Sequence, residues 1–323
     1  MATTDLDFEL LPYLRVYKSG TIQRLAGTDS DSVPPATDSH TGVLSKDLLA
    51  IIPGTEVYVR IYLPNLAAAD GRKLPLLVYF HGGFFILHSP SSRLYHDYLN
   101  ALAAESGAIV VSVHYRRPPE HPLPVGYQDS WDALRWVAAH RGGDGAEQIL
   151  NNQADFRRVF LVGDCAGGNI VHNLAVTAGN TDAGLDMEIQ GIVLVDPYFN
   201  GSDWVGSCTA GLEERVALER LWSVVCPSCP DKDDPWVNPV GEAGMGGLVG
   251  LGCSRALVCV AEKDVLKDWG WAYFQGLGRV GWMGMVEIHE AEGEGHCFHL
   301  HDLKAEKAKE RMRRMVHFIN WEM

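Results

Sequence analysis

The sequence predicts an α/β fold: a mostly parallel central sheet with helices on both faces and a helical cap. Three observations predict it. From residue 74 onward, short and continuously apolar runs alternate with helical patterns. Runs without polar alternation are the mark of strands buried on both faces, and strands separated by helices pair in parallel. One run, RVFLVG (158–163), passes straight into DCAGGNI, where small residues around Cys165 permit a tight strand-to-helix turn. Reactive side chains also recur just beyond strand ends, where ligands bind in open parallel sheets.

Before that rhythm begins, residues 1–25 combine a helical-looking start with YLRVYKSGTIQRL, in which KSG separates two short β-like runs, a hairpin signal. Residues 26–42 are rich in Ser, Thr, Asp and Pro and read as an extended loop. Segment 1–42 is therefore expected to lie over the domain as a lid. Alternation in VYVRIYLP places strands between Gly42 and Pro64. LPLLVYF (74–80) is a buried strand followed by the loop HGGFF. A helix over about 93–106 puts Tyr95, Tyr98, Leu99 and Leu102 on one face. AIVVSVHY (108–115) is the next strand, and the Pro-rich RRPPEHPLP leads into a helix, YQDSWDALRWVAAH. After the Cys165 turn and its helix come the strands 189–199, 254–264 and 285–296, then a closing helix at about 303–321. Residues 200–250 break the pattern with Trp204, Trp222 and Trp236 among Gly, Pro and Cys, and read as a cap.

The 323 residues are expected to form one domain, 1–323, with ample core: 46% are hydrophobic and 21% charged. The formal charge of −14, with no Lys/Arg cluster, argues against nucleic acid and anionic membrane surfaces as partners. The expected partner is a small-molecule substrate, and a homodimer is compatible with the chain. Seven cysteines, an odd number in a large chain, read as free thiols of a reducing compartment. Cys226-Pro-Ser-Cys229 has metal-like spacing but no second pair to complete a site. The N-terminus lacks the apolar stretch of a signal peptide, and no apolar run approaches the roughly 18 residues of a membrane span, so the cytoplasm is the expected location. No cofactor motif is present in the sequence, and GDCAGGN is no dinucleotide fingerprint.

Four loops at strand ends carry candidate chemistry. Cys165 stands at a strained turn tip in front of a helix N-terminus, where a thiolate is favoured. Asp264 follows the strand LVCVA and would orient a histidine; Asp268 is the alternative, further from the strand end. His296, in the Gly-rich EGEGHCFH, can reach back to the turn as a base, with His289 and His299 as competitors. Gly82, Gly83 and Phe84 expose backbone N–H groups that, with Ala166, can form an oxyanion hole. The order is nucleophile, acid, histidine.

Over nearly its whole length the chain resembles plant carboxylesterases of the hormone-sensitive-lipase-like group of α/β-hydrolases. The resemblance rests on YFHGGFF, VHYRRPPEHPLPVGYQDSWDALRW, GDCAGGN, DDPWVNP and EGEGHCFHL, in that order. It implies the α/β-hydrolase fold and triad roles for Cys165, Asp264 and His296. Three departures stand out. Cys165 replaces the usual serine, Phe84 replaces a Gly or Ser of the oxyanion loop, and YRRPPEHP replaces Y-R-L-A-P-E-H-P. Phenylalanine resists the positive φ that glycine allows. Because the base and acid are kept while acyl-transfer parts change, the expected reaction is a non-hydrolytic elimination, dehydration or cyclisation. Phe85, Tyr198, Trp204 and Phe298 are expected to hold the substrate. The alternatives are ester hydrolysis through Cys165, and hormone-like binding without turnover, as in the related gibberellin receptor.

Overall fold

A computed structural model describes residues 5–28, 31–65, 72–203, 205–206 and 212–321. The chain opens with strands β1 (Leu6–Leu10), β2 (Leu14–Tyr17) and β3 (Ile22–Arg24), a small antiparallel sheet. β1 is not the helix its composition suggests. Leu6, Phe8 and Leu10 alternate with acids, and the strand pairs with β2 from Leu6↔Tyr17 to Leu10↔Leu14. The KSG hairpin forms as expected between β2 and β3.

The main sheet uses β4 (Leu44–Leu48), β5 (Tyr58–Leu63), β6 (Leu74–Phe80), β7 (Ile109–His114), β8 (Ala154–Asp164), β9 (Ile189–Val195), β10 (Cys253–Ala261) and β11 (Met285–Ala291). Their spatial order is β11-β10-β9-β8-β6-β7-β5-β4. β6 through β11 run parallel, and β5 and β4 add antiparallel strands at one edge. The helices are α1 (Arg93–Ser106), α2 (Val125–Ala138), α3 (Gln148–Gln153), α4 (Ala166–Ala178), α5 (Leu212–Val225), α6 (Met245–Val249), α7 (Lys267–Arg279) and α8 (Glu306–Asn320). α1 packs with α8, and α2 with α4. Every residue of β7 is buried, as is β9 apart from Gln190, which accounts for their unbroken apolar runs. α5 and α6 fall in the segment read as a cap.

The turn between β8 and α4 is built on close backbone approach. A Cβ on Gly167 would stand 1.9 Å from the carbonyl oxygen of Phe80, so α4 begins directly against the end of β6. Gly167→Ala is expected to lower stability by about 3 kcal/mol or more, read from the midpoint of urea unfolding. An unchanged midpoint would mean that the turn has slack.

Candidate active site

Cys165 sits at the tip of this turn with φ 50° and ψ −117°, a conformation that non-glycine residues seldom adopt. Its N–H still reaches the Val195 carbonyl at 2.9 Å, so strand pairing with β9 holds the strained residue in place. The side chain is buried (2% exposed).

The loops after β10 and β11 are tied together by two backbone bonds, Glu262 N–H to Ala291 O at 3.0 Å and Lys263 N–H to Glu294 O at 2.8 Å. This brings Asp264 to His296: Oδ2 lies 2.7 Å from Nδ1, while Oδ1 accepts the Leu266 N–H at 2.9 Å. The aspartate side chain is fully buried and the histidine 30% exposed. Burial disfavours a charged ring, yet Cys297, Asp264 and Cys165 together outweigh it and hold the imidazole well above its ordinary value. Neither rival histidine takes this place. His299 is buried edge-on to Tyr98, and His289 stands within β11. Asp268 lies on α7.

The other ring nitrogen holds a surprise. Nε2 of His296 lies 3.6 Å from Sγ of Cys297, and among the described residues no hydrogen bond joins His296 to Cys165. The Cys297 sulfur is also 3.8 Å from Oδ2 of Asp164. That carboxylate accepts from Tyr79 Oη at 2.6 Å and Tyr95 Oη at 2.8 Å. Burial pushes the Asp164 carboxyl up, and the two phenols oppose the shift.

The same network corrects one expected donor. The Gly82 N–H donates to Tyr95 Oη at 2.9 Å and faces Asp164 Oδ1 at 3.3 Å, so it is not available to an oxyanion. The N–H groups of Gly83, Phe84 and Ala166 have no protein acceptor among the described residues. Phe84 takes φ 59° despite its side chain, so the loop keeps a glycine-like conformation that phenylalanine disfavours. Its ring packs on Tyr13, with centroids 4.7 Å apart, and that contact accompanies the strained backbone.

His296 opens onto an apolar cavity of about 310 Å³. Leu10, Leu11 and Tyr13 of the N-terminal sheet, Phe84, and Leu218 and Leu221 of α5 line it. Three of the aromatic residues expected there, Phe85, Tyr198 and Phe298, sit elsewhere. Phe85 is buried edge-on against Tyr127 and Tyr198, and Tyr198 is buried with its hydroxyl donating to Leu218 O at 2.9 Å. Phe298 lies under the Arg311 guanidinium, 4.4 Å from ring centroid to carbon. Trp204 falls outside the described residues. Phe85 and Tyr198 are large rings that bury most area in the core, and both lie there.

Sequence reasoning also missed Asp164, Cys297 and the buried pair Asp196–Arg311, although the first two are chain neighbours of Cys165 and His296. Asp196, His296 and Cys297 offer ligand atoms within 4.8 Å of one another. Asp196 Oδ2, however, already accepts from Arg311 at 2.7 Å and from the Cys297 N–H at 3.0 Å. Cys229 Sγ donates to Asp234 at 2.8 Å and Cys226 is buried beside it, an arrangement of thiols around a proline turn.

A family model described as alpha/beta hydrolase fold matches residues 77–300. The chain is 44% identical over 319 residues to probable carboxylesterase 13 of Arabidopsis thaliana, covering 95% of this chain and 96% of that one. It is 40% identical over 318 residues to tuliposide A-converting enzyme 1, chloroplastic, of Tulipa gesneriana, covering 98% of this chain and 79% of that one. A solved esterase of Pyrobaculum calidifontis matches with a TM-score of 0.69 at 29% identity, covering 85% of this chain and 84% of that one. The chain belongs to the alpha/beta-hydrolase fold family. Within it, the chain is a carboxylesterase-like enzyme related to the plant carboxylesterases, so binding without turnover is set aside. Among the described residues no helix is long and apolar enough to cross a membrane.

Proposed function

We propose that this enzyme moves a proton on a small, neutral, apolar carbonyl substrate and that it eliminates or cyclises rather than hydrolyses. One observation carries the reading: His296, backed by Asp264, lines the apolar cavity but makes no hydrogen bond with the buried Cys165. Nε2 of His296 takes a proton from the carbon next to the carbonyl. The electron pair moves onto the carbonyl oxygen, where the N–H groups of Gly83, Phe84 and Ala166 stabilise the enolate. The enolate then expels a carboxylate from the β-carbon, or a hydroxide that takes the Nε2 proton and leaves as water; in a cyclisation it adds instead to a second carbonyl carbon of the same substrate, whose oxygen takes that proton. Asp264 holds the Nδ1–H tautomer and offsets the imidazolium charge. Cys165 is a small wall beside the reacting carbonyl.

Hydrolysis through Cys165 is the second reading. It is favoured by the preserved turn, which sets the thiol at the N-terminus of α4, and by the 44% identity to a probable carboxylesterase. Oxygen tracing separates the two. With a β-acyloxy ketone in ¹⁸O-water, elimination breaks the alkyl–oxygen bond, and the released acid carries no ¹⁸O. Hydrolysis puts solvent oxygen into the acid, and an acyl group trapped on Cys165 by mass spectrometry would overturn the proposal. The six described cysteines are unpaired, which supports a reducing compartment, for which we propose the cytoplasm. The plastid is the alternative, since the tulip relative is named chloroplastic.

A further inference from the structure

We infer that Cys297 is a positioning residue whose sulfur holds Nε2 of His296, keeping the base turned from the thiol at the β8–α4 turn. The inference rests on His296 being the group that moves the proton. The imidazole has two nitrogens, and both have a protein partner: Nδ1 has Asp264 at 2.7 Å, and Nε2 has Cys297 Sγ at 3.6 Å. The Cys297 S–H donates to Asp164 Oδ2 at 3.8 Å, so its sulfur meets the ring as an acceptor, and the Nε2–H of the protonated imidazole is the donor. A ring nitrogen whose proton points into this sulfur is not free to receive one from Cys165.

The position of the sulfur does not depend on an exposed loop. Cys297 is buried (6% exposed) in a left-handed conformation, φ 49° and ψ 28°. Its N–H donates to Asp196 Oδ2 at 3.0 Å, and the same oxygen is clamped by Arg311 at 2.7 Å. The sulfur stands between Nε2 and the Asp164 carboxylate, which also anchors Tyr95 and, through it, the Gly82 N–H. Cys297 therefore links the base to the backbone that shapes the oxyanion loop. A thiol sulfur is a weak acceptor, so the contact is strong enough to set the resting orientation and weak enough for a substrate to displace. The acyl-transfer route is quiet for two separate reasons on this account: the nucleophile is a buried thiol, and its base is engaged elsewhere.

The test removes the first reason and varies the second. In the Cys165→Ser background, ester cleavage requires the introduced hydroxyl to pass its proton to Nε2 as its oxygen bonds to the carbonyl carbon and the aryloxide leaves. Hydrolysis of an aryl acetate is compared for Cys165→Ser, Cys165→Ser/Cys297→Ala and Cys165→Ser/Cys297→Ser. The alanine double variant is expected to raise kcat about five- to tenfold over Cys165→Ser, with KM within about twofold. The Cys297→Ser version, which restores an acceptor, is expected to fall back towards the Cys165→Ser rate. Equal rates in all three, a change confined to KM, or equal gains from alanine and serine would each overturn the inference. Should the alanine variant fail to fold, histidine ¹⁵N NMR of the wild type and the near-isosteric Cys297→Ser reads the contact directly. The Nε2 resonance is expected to move and Nδ1 to stay, and an unmoved Nε2 overturns the inference. Failure of the elimination reading registers independently, as ¹⁸O in the acid released by the wild type.

Discussion

His296→Ala is expected to reduce kcat/KM by about a thousandfold on whatever carbonyl substrate the enzyme turns over, since positioned acid–base groups contribute about 10²–10⁴ in rate. Asp264→Asn should lose a large part of the same factor, because the amide can hold the ring in the wrong tautomer and leaves the imidazolium uncompensated. The pH dependence follows from the sign of the shift. His296 acts as a base only when neutral, and its surroundings hold it well above its ordinary value of 6.5, so the acidic limb of kcat should lie above that pH. The charged and titratable groups that act on it are Asp264, Cys165, Cys297, Asp164, Asp196 and His299. Asp264→Asn removes a group that favours the imidazolium and should move the limb to lower pH. Rate measurements from pH 5 to 9 on the wild type and both variants check this. An His296→Ala enzyme within threefold of wild type would remove His296 from the mechanism.

Arg311→Met should produce the largest loss of stability, about 3–5 kcal/mol, because it leaves a buried carboxylate without its partner. Both side chains of the Asp196–Arg311 pair are fully buried at 2.7 Å, and Arg311 also donates to Val260 O at 2.7 Å. Burial pushes the Asp196 carboxyl up and Arg311 opposes it, so without the arginine the group is driven towards the neutral acid. Asp196→Asn/Arg311→Met removes both charges together and should recover part of the loss. Urea unfolding of the three proteins measures it. A single-variant loss below about 1 kcal/mol would show that the pair is not the clamp on the His296–Cys297 loop.

Much of this was legible before any coordinates. Continuous apolar runs such as IVVSVH admit little except a strand buried on both faces, so the parallel sheet could be read directly. The glycines around Cys165 demanded a turn, and Asp264 and His296 followed from their places just past strand ends. The misreadings have identifiable causes. LDFEL is too short for its alternation to outweigh the acidic, helix-like composition before it, and its partner strand decides it. Phe85 and Tyr198 were placed in the pocket by residue type, whereas packing set them in the core. Phe84 resists by residue type the positive φ of the oxyanion loop, yet it adopts it, and its contact with Tyr13, distant in the chain, accompanies that backbone.

The sequence by itself determined the strands of the main sheet, the turn at Cys165 and the order of the reactive residues, because each depends on local periodicity, on small residues or on position along the chain. Only the tertiary structure decided which atom meets which. Residues from β6, α1 and β8 meet to occupy the Gly82 N–H, and the N-terminal sheet closes a cavity over His296. The Nε2 contact with Cys297 in place of Cys165 is of the same kind. Adjacent residues do not face each other by default, and here a buried ion pair between Asp196 and Arg311, far apart in the chain, turns Cys297 back under the ring.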